Sequence, residues 1–319
     1  MSDAIPLRPL SPAGCVPLAV VERSGLIESQ HLGAAVLVDP DGAVLEAHGD
    51  VEAHVYPRST LKPFQATAAL RSGLGLVGEQ LVLSTASHAG TERHQAVVRT
   101  ILDGAGLDAS ALRCPPAWPG DRAARAAASA PSRLAMNCSG KHATFLAACV
   151  REGWTLEDYL APEHPLQARI RSVVAELTGA EPAHWGVDGC GAPVAAMGLL
   201  QLARGLAALE RSGSPLPAAI REHPWAIDGE GQANTAVIER TGVVAKLGAE
   251  GVLVLLTPEG AAVALKSLDG SHRATTIAGL GLLARNGLVD AEAAADAAAA
   301  TAEAVTGGDE VVGGLRLAL

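Results

Sequence analysis

Apolar residues run or alternate over 16–24, 33–39 and 42–48, and the turn sequence DPDG at 39–42 separates the last two. Such stretches, joined by tight polar turns, predict an N-terminal antiparallel meander. Toward the other end, GVLVLL (251–256) and AAVALK (261–266) flank TPEG, which predicts a hairpin. Between these ends the period changes from two to 3.6. Helices are expected over 61–73, 91–106, 139–151, 166–178, 193–212 and 234–240, and again over 272–286 and 291–304. Strands at both ends with helices between them imply an α/β (α+β) chain. One antiparallel sheet would be assembled from about 16–50 and 245–319 and covered by a helical region from about 60 to 240.

Composition narrows this picture in three ways. The 319 residues are 49% hydrophobic but include only four Trp, two Tyr and two Phe, so the core must be built from Ala, Val and Leu. A formal net charge of −10 argues against a nucleic-acid partner, because a phosphate backbone requires a basic face. No basic segment leads into an apolar one at the N-terminus and no apolar run reaches membrane-spanning length, so neither a signal peptide nor a membrane partner is expected. The five cysteines (15, 114, 138, 149, 190) form no CxxC pair, which suggests reduced thiols or metal ligands and a cytoplasmic setting. GLGLLA (279–284) fits a loose dinucleotide fingerprint, but it lies inside a helical pattern with no strand before it and is set aside.

Several short segments concentrate chemistry. In VYPRSTLKPFQA, Ser59 precedes Lys62 by three residues at a helix start, which puts both on one face about 5–6 Å apart at Cβ. A serine hydroxyl needs a base to become a nucleophile. A buried lysine can act as one if its pKa falls from about 10.4 toward about 7–8. Alone, this four-residue match could equally be an N-cap serine and a solvated lysine. Ser87-His88 follows an apolar stretch in LSTASHAGTE, where a pocket lining or a simple turn would both fit. MNCSGKHA (136–143) crowds Cys138, Lys141 and His142 at another helix start, and VDGCGAP (187–193) sets Asp188 and Cys190 between glycines. The two thiols could be zinc ligands or buried free cysteines. Lys266 ends a strand in VALKSLDGSHRA, and Lys246 in KLGAEG is a second candidate lysine.

Taken in order, YPRSTLKPFQ, SHAGTE, NCSGKHA, DGCGAP, KLGAEGV and ALKSLDG resemble the thermolabile, zinc-containing L-asparaginase family of the rhizobial inducible type. The resemblance runs over most of the chain. It implies a single asparaginase domain over 1–319 with a serine β-lactamase-like fold, a homodimer, and L-asparagine as substrate. It also implies two Ser–Lys pairs, Ser59 with Lys62 and Ser87 with Lys266. One zinc ion per chain would be held by Cys138, Lys141 and Cys190, and Arg58, His142 and Asp188 would contact or support the substrate. On this reading Lys62 deprotonates Ser59 for attack, while Ser87 relays protons or holds the oxyanion. The sequence departs from the family where a Gly-Arg-Phe-Asp-Thr-like run reads Gly231-Gln-Ala-Asn234-Thr235, without the Arg and the Asp. A glutaminase, a β-lactamase-like hydrolase and a non-catalytic zinc protein on the same scaffold are the alternatives.

Overall fold

The computed structural model of the chain describes residues 6–182 and 184–319. Strands β1 (Val16–Arg23), β2 (Leu26–Val38) and β3 (Val44–His48) follow one another antiparallel, as the N-terminal pattern predicts. Strands β4 (His184–Val187) and β5 (Pro193–Ala196) make a separate two-stranded ribbon. Strands β6 (Val244–Gly248), β7 (Val252–Leu256) and β8 (Ala262–Ser267) form a second meander, and β9 (Val305–Gly307) with β10 (Glu310–Leu317) form the last hairpin. The main sheet runs β6-β7-β8-β2-β1-β10-β9, with β3 also on β2. The ends of the sequence therefore meet in its middle, where β2 pairs with β8 and β1 with β10.

The 13 residues of β2 serve three partners. Its first half pairs with β1, while from Gly33 onward it pairs with β8 on one side and β3 on the other. Side chains alternate between the faces of a strand, so the unbroken burial of Ala34–Val38 means that both faces are covered.

Helices α1 (Lys62–Leu70), α2 (Gly78–Leu83), α3 (Glu92–Gly104), α4 (Arg122–Ala127), α5 (Ser139–Glu152) and α6 (Pro165–Thr178) lie between β3 and the ribbon. After it come α7 (Leu199–Arg211), α8 (Pro215–Glu222) and α9 (Ala233–Thr241), and then α10 (Thr275–Arg285) and α11 (Ala291–Thr301) before the last hairpin. Helix α10 packs on the sheet face that carries Leu253, Leu255 and Leu265, where a Cβ on Gly279 would sit 2.9 Å from Leu255. Helix α7 packs across β2 and β8 on the other face. No helix among the described residues is long and apolar enough to cross a membrane.

One expected helix is corrected. The segment 193–212 opens as strand β5, because Pro193–Ala196 pairs with β4, and α7 begins only after Gly198. There the Gln201 side chain accepts the Gly198 N–H at 3.1 Å and fixes the helix start. The apolar residues of β5 are buried on every side, so their spacing carried no strand period.

Candidate active site

Along the sheet, Lys246 of β6 is opposite Val254 of β7, and Val254 is opposite Ala264 of β8. These positions alternate with the leucines under α10, so Lys246 points to the other face. Against that face lies the short turn Arg58–Leu61 that leads into α1. Gly248 makes the close approach possible: a Cβ there would come within 2.5 Å of the Pro57 carbonyl oxygen. Arg58 has φ of +54°, a left-handed conformation rare outside glycine, and it immediately precedes Ser59.

The loop after α2 enters the same space. Gly140 brings α5 against it, since a Cβ there would meet the Leu83 carbonyl oxygen at 2.3 Å. His88 ties the loop to α5. Its Nδ1 accepts the Gly90 N–H, which leaves Nε2 to donate to Ser139 Oγ at 2.9 Å. Burial, with His94 and Lys62 nearby, holds the His88 imidazole well below its usual pKa and therefore neutral. His88 is thus a satisfied structural residue.

Ser87 lies where these elements converge. Lys62 Nζ is 2.9 Å from Ser87 Oγ and also donates to the Ala86 carbonyl. Lys246 Nζ is 2.7 Å from the same Oγ and 3.0 Å from the Leu247 carbonyl. Both lysines are almost fully buried, at 1% and 2% exposure. Burial first, and then repulsion from Lys62, lowers the Lys246 pKa to about 7, against the opposing pull of Asp228 and Cys138.

The expected pairing of Ser87 with Lys266 is therefore corrected to Lys62 and Lys246. Lys266 shares the sheet face with Lys246, but it sits two strands away, about 10 Å across the sheet. Its Nζ donates to the Glu250 and Ser267 carbonyls. Lys266 instead lines an open cleft of about 290 Å³ together with His54, Tyr56, Arg58, Glu250 and Leu268. Ser59 is half-buried beside this turn, and its carbonyl accepts the Lys62 N–H.

Of the other expected residues, Arg58 Nε donates to Asp188 Oδ1 at 2.7 Å, joining the serine turn to the glycine loop between β4 and β5. His142 is fully buried and lies inside the fold rather than in the cleft. Its Nδ1 is 2.6 Å from the Tyr159 hydroxyl, which in turn accepts the Arg113 N–H. That chain leaves the proton of His142 on Nε2, which has no oxygen or nitrogen partner. Cys190 interacts with this imidazole.

Cys138, Lys141 and Cys190 do come together, all buried, with Lys141 Nζ 3.1 Å from Cys190 Sγ. A hydrogen bond from Cys138, together with Lys141 and His142, holds the Cys190 thiol far below its usual range against the effect of burial. The proximity of Cys190 and burial raise the Cys138 thiol, whose Sγ lies 3.3 Å from Asn137 Oδ1. Burial disfavours the Lys141 ammonium, but Cys190 and Cys138 outweigh it and raise the Lys141 pKa. No group of three or more His, Cys, Asp or Glu side chains among the described residues is placed to hold a metal. The third donor here is a lysine. Two sulfurs and one nitrogen form a set that suits a thiophilic ion, whose binding would displace the lysine proton, with the His142 imidazole beside Cys190.

Two further residues belong to this site: Asp228, which no sequence motif marked, and Asn234, which the sequence showed only as part of the divergent 231–235 run. The Asp228 carboxylate acts on Lys246 and Lys62, and Asn234 links it to β6.

Comparison with known proteins supports the motif reading at the level of the asparaginase family. The L-asparaginase II family pattern matches residues 19–317. No curated protein matches the chain. Among solved structures, Mglu in its glutamate form is 14% identical with a TM-score of 0.48, over 89% of this chain and 66% of that one. A Bacillus glutaminase in 4.3 M NaCl is 12% identical with a TM-score of 0.46, over 81% of this chain and 92% of that one. The match over 19–317 covers every residue of the Ser87 cluster, and the chain belongs to the L-asparaginase II family.

Proposed function

We propose that the chain is an amidohydrolase that converts L-asparagine to L-aspartate and ammonia by acyl transfer. The observation that carries this reading is the single hydroxyl of Ser87 held between the Nζ atoms of Lys62 and Lys246. A neutral Lys246 accepts the Ser87 proton as Oγ bonds to the side-chain amide carbon. The Lys62 N–H donor faces the oxygen that gains charge. The C–N bond then breaks, and ammonia leaves with the proton from Lys246. Water, deprotonated by the same amine, cleaves the ester to release aspartate. Arg58 and Asp188 offer opposite charges at the cleft for the α-carboxylate and α-ammonium of the substrate.

A second assignment keeps Ser59 as nucleophile and Ser87 as proton relay between the two lysines. It is favoured by the left-handed Arg58 directly before Ser59, because backbone strain often accompanies a functional residue. Under either assignment the substrate test is ammonia release from L-asparagine, L-glutamine and a chromogenic β-lactam. Turnover of L-asparagine well above the other two is the expected result. Turnover of none of them by folded protein would reject the amidohydrolase reading.

Cys138, Lys141 and Cys190 would hold one zinc ion per chain, and the bound ion would supply Lewis-acid polarity for orienting the substrate. Elemental analysis of protein purified without added metal or chelator should find about one zinc, absent from a Cys138→Ser/Cys190→Ser variant. Finding no metal, with both thiols freely reactive, would remove zinc from the reading. The expected homodimer and cytoplasmic location belong to the same proposal.

A further inference from the structure

We infer that the Asp228 carboxylate, fixed by the side-chain amide of Asn234, is the counter-charge that positions Lys246 at Ser87 and tunes its protonation. The inference rests on the catalytic reading above and adds two positioning residues to it.

The geometry starts from Asn234, which is buried at 2% exposure on the first turn of α9. Its Oδ1 accepts the Leu247 N–H at 2.8 Å, immediately after Lys246 in β6. A backbone N–H can only donate, so the amide cannot flip, and Nδ2 must face the other way. There it donates to Asp228 Oδ2 at 2.9 Å, and the Asn234 backbone N–H reaches the same oxygen at 3.2 Å. One side chain thus ties the strand that carries Lys246 to the Asp228 carboxylate, which acts on the amine through space rather than by a direct ion pair.

The segment before α9 also holds Ser87. The Ile227 carbonyl accepts the Ser87 N–H at 3.0 Å, and the Asp228 carbonyl accepts the Ala89 N–H at 2.6 Å. The backbone of 227–228 therefore positions the hydroxyl, while its side chain addresses the amine. Four groups are electrostatically coupled to Lys246: Lys62 from the start of α1, Asp228, Cys138 ahead of α5, and His272 ahead of α10. Among them Asp228 is the carboxylate. Burial raises its pKa, and Lys246 pulls it back down.

The carboxylate that the Asn234 amide reaches lies six residues earlier in the chain. An aspartate at 234 would face Asp228 at hydrogen-bond distance, and two carboxylates that close cannot both ionise.

The charge effects have definite signs. Removing the carboxylate in Asp228→Asn removes an influence that favours the ammonium, so Lys246 should lose its proton at lower pH. Asn234→Asp places a second acid against Asp228, and because the pair then holds one charge and one proton, the midpoint should stay close to the parent value. Asp228→Ala/Asn234→Asp moves the single carboxylate to the other position and should return the midpoint toward the parent value. NMR of protein labelled with 13Cε-lysine reads the Lys246 midpoint directly. The pH profile of kcat/KM for L-asparagine reads it through turnover.

A downward shift of about one pH unit, a tenfold change in proton affinity, is expected for Asp228→Asn, with Asn234→Asp close to the parent. Midpoints that coincide in all four proteins would overturn the inference. So would a fall in kcat without movement of the acid limb, which would indicate a packing role. If Asp228→Asn fails to fold, Asp228→Ser, which keeps a small polar side chain against the same amide, should show the same downward shift and decides the question. NMR midpoints that move in protein inactive on every amide would reject the catalytic reading and leave the counter-charge intact.

Discussion

Ser87→Ala is expected to lower kcat/KM for L-asparagine by about 10⁴–10⁶, the scale seen when an acylating nucleophile is removed. Only one oxygen is lost. Ser87 is partly exposed and its backbone N–H stays bonded to Ile227, so the fold should survive with little change in Tm. The two buried lysines would lose a shared acceptor, but each keeps a carbonyl partner, Ala86 for Lys62 and Leu247 for Lys246. Ser59→Ala is the matched control, because Ser59 sits one helical turn from the same Lys62. If Ser87 is the nucleophile, intact-mass spectrometry under rapid quench should detect an acyl-enzyme in Ser59→Ala and none in Ser87→Ala. The reverse pattern would assign attack to Ser59 and leave Ser87 as the relay.

Lys246→Ala should cost about 10²–10⁴ in kcat/KM, the usual contribution of a positioned general base, which is about 3–5 kcal/mol of barrier. Lys266→Ala should stay within about tenfold of the parent, since its Nζ is committed to the Glu250 and Ser267 carbonyls and not to a serine. The two substitutions also differ in their pH signature. With the Lys246 pKa lowered to about 7, its neutral form grows as pH rises, so activity should climb through that region and level off above it. Lys266→Ala should retain this limb, whereas the residual rate of Lys246→Ala should lack it. A severe loss in Lys266→Ala with a mild one in Lys246→Ala would restore the pairing expected from sequence.

The two lysines show where sequence reading reached its limit. Both KLGAEG and ALKSLDG were visible as motifs, and both lysines do share one sheet face. The choice between them depended on strand order. Lys246 lies on the edge strand β6, next to the Arg58–Leu61 turn, while Lys266 lies two strands inward. No local pattern encodes that lateral distance. The N-terminal strands, the hairpin over 251–266 and most helices were legible because their apolar periods are regular and their turns are explicit, whereas β6 and the last hairpin, β9 with β10, were not marked as strands. The ribbon Pro193–Ala196 was not, because its four residues are all buried and merge with the apolar start of α7. Cys138, Lys141 and Cys190 were legible as a group only through their resemblance to a family, since 52 positions separate the thiols. Asp228 carried no signal: it is an ordinary turn residue in sequence, and it gains a role only through Asn234.

The order of strands in the main sheet also bears on how the molecule is made. Strand β2 pairs with β8 at Val36 and Ala264, more than two hundred residues later in the chain. At ordinary translation speeds of about 5–20 residues per second, that partner leaves the ribosome roughly 10 to 45 seconds after β2. Throughout that interval the apolar run Ala34–Val38 has a free hydrogen-bonding edge and β3 as its only neighbour on the other side. An unpaired apolar edge is a template for aggregation. Nascent chains arrested before Thr257 should therefore engage holdase chaperones at this strand, and release should coincide with emergence of β8.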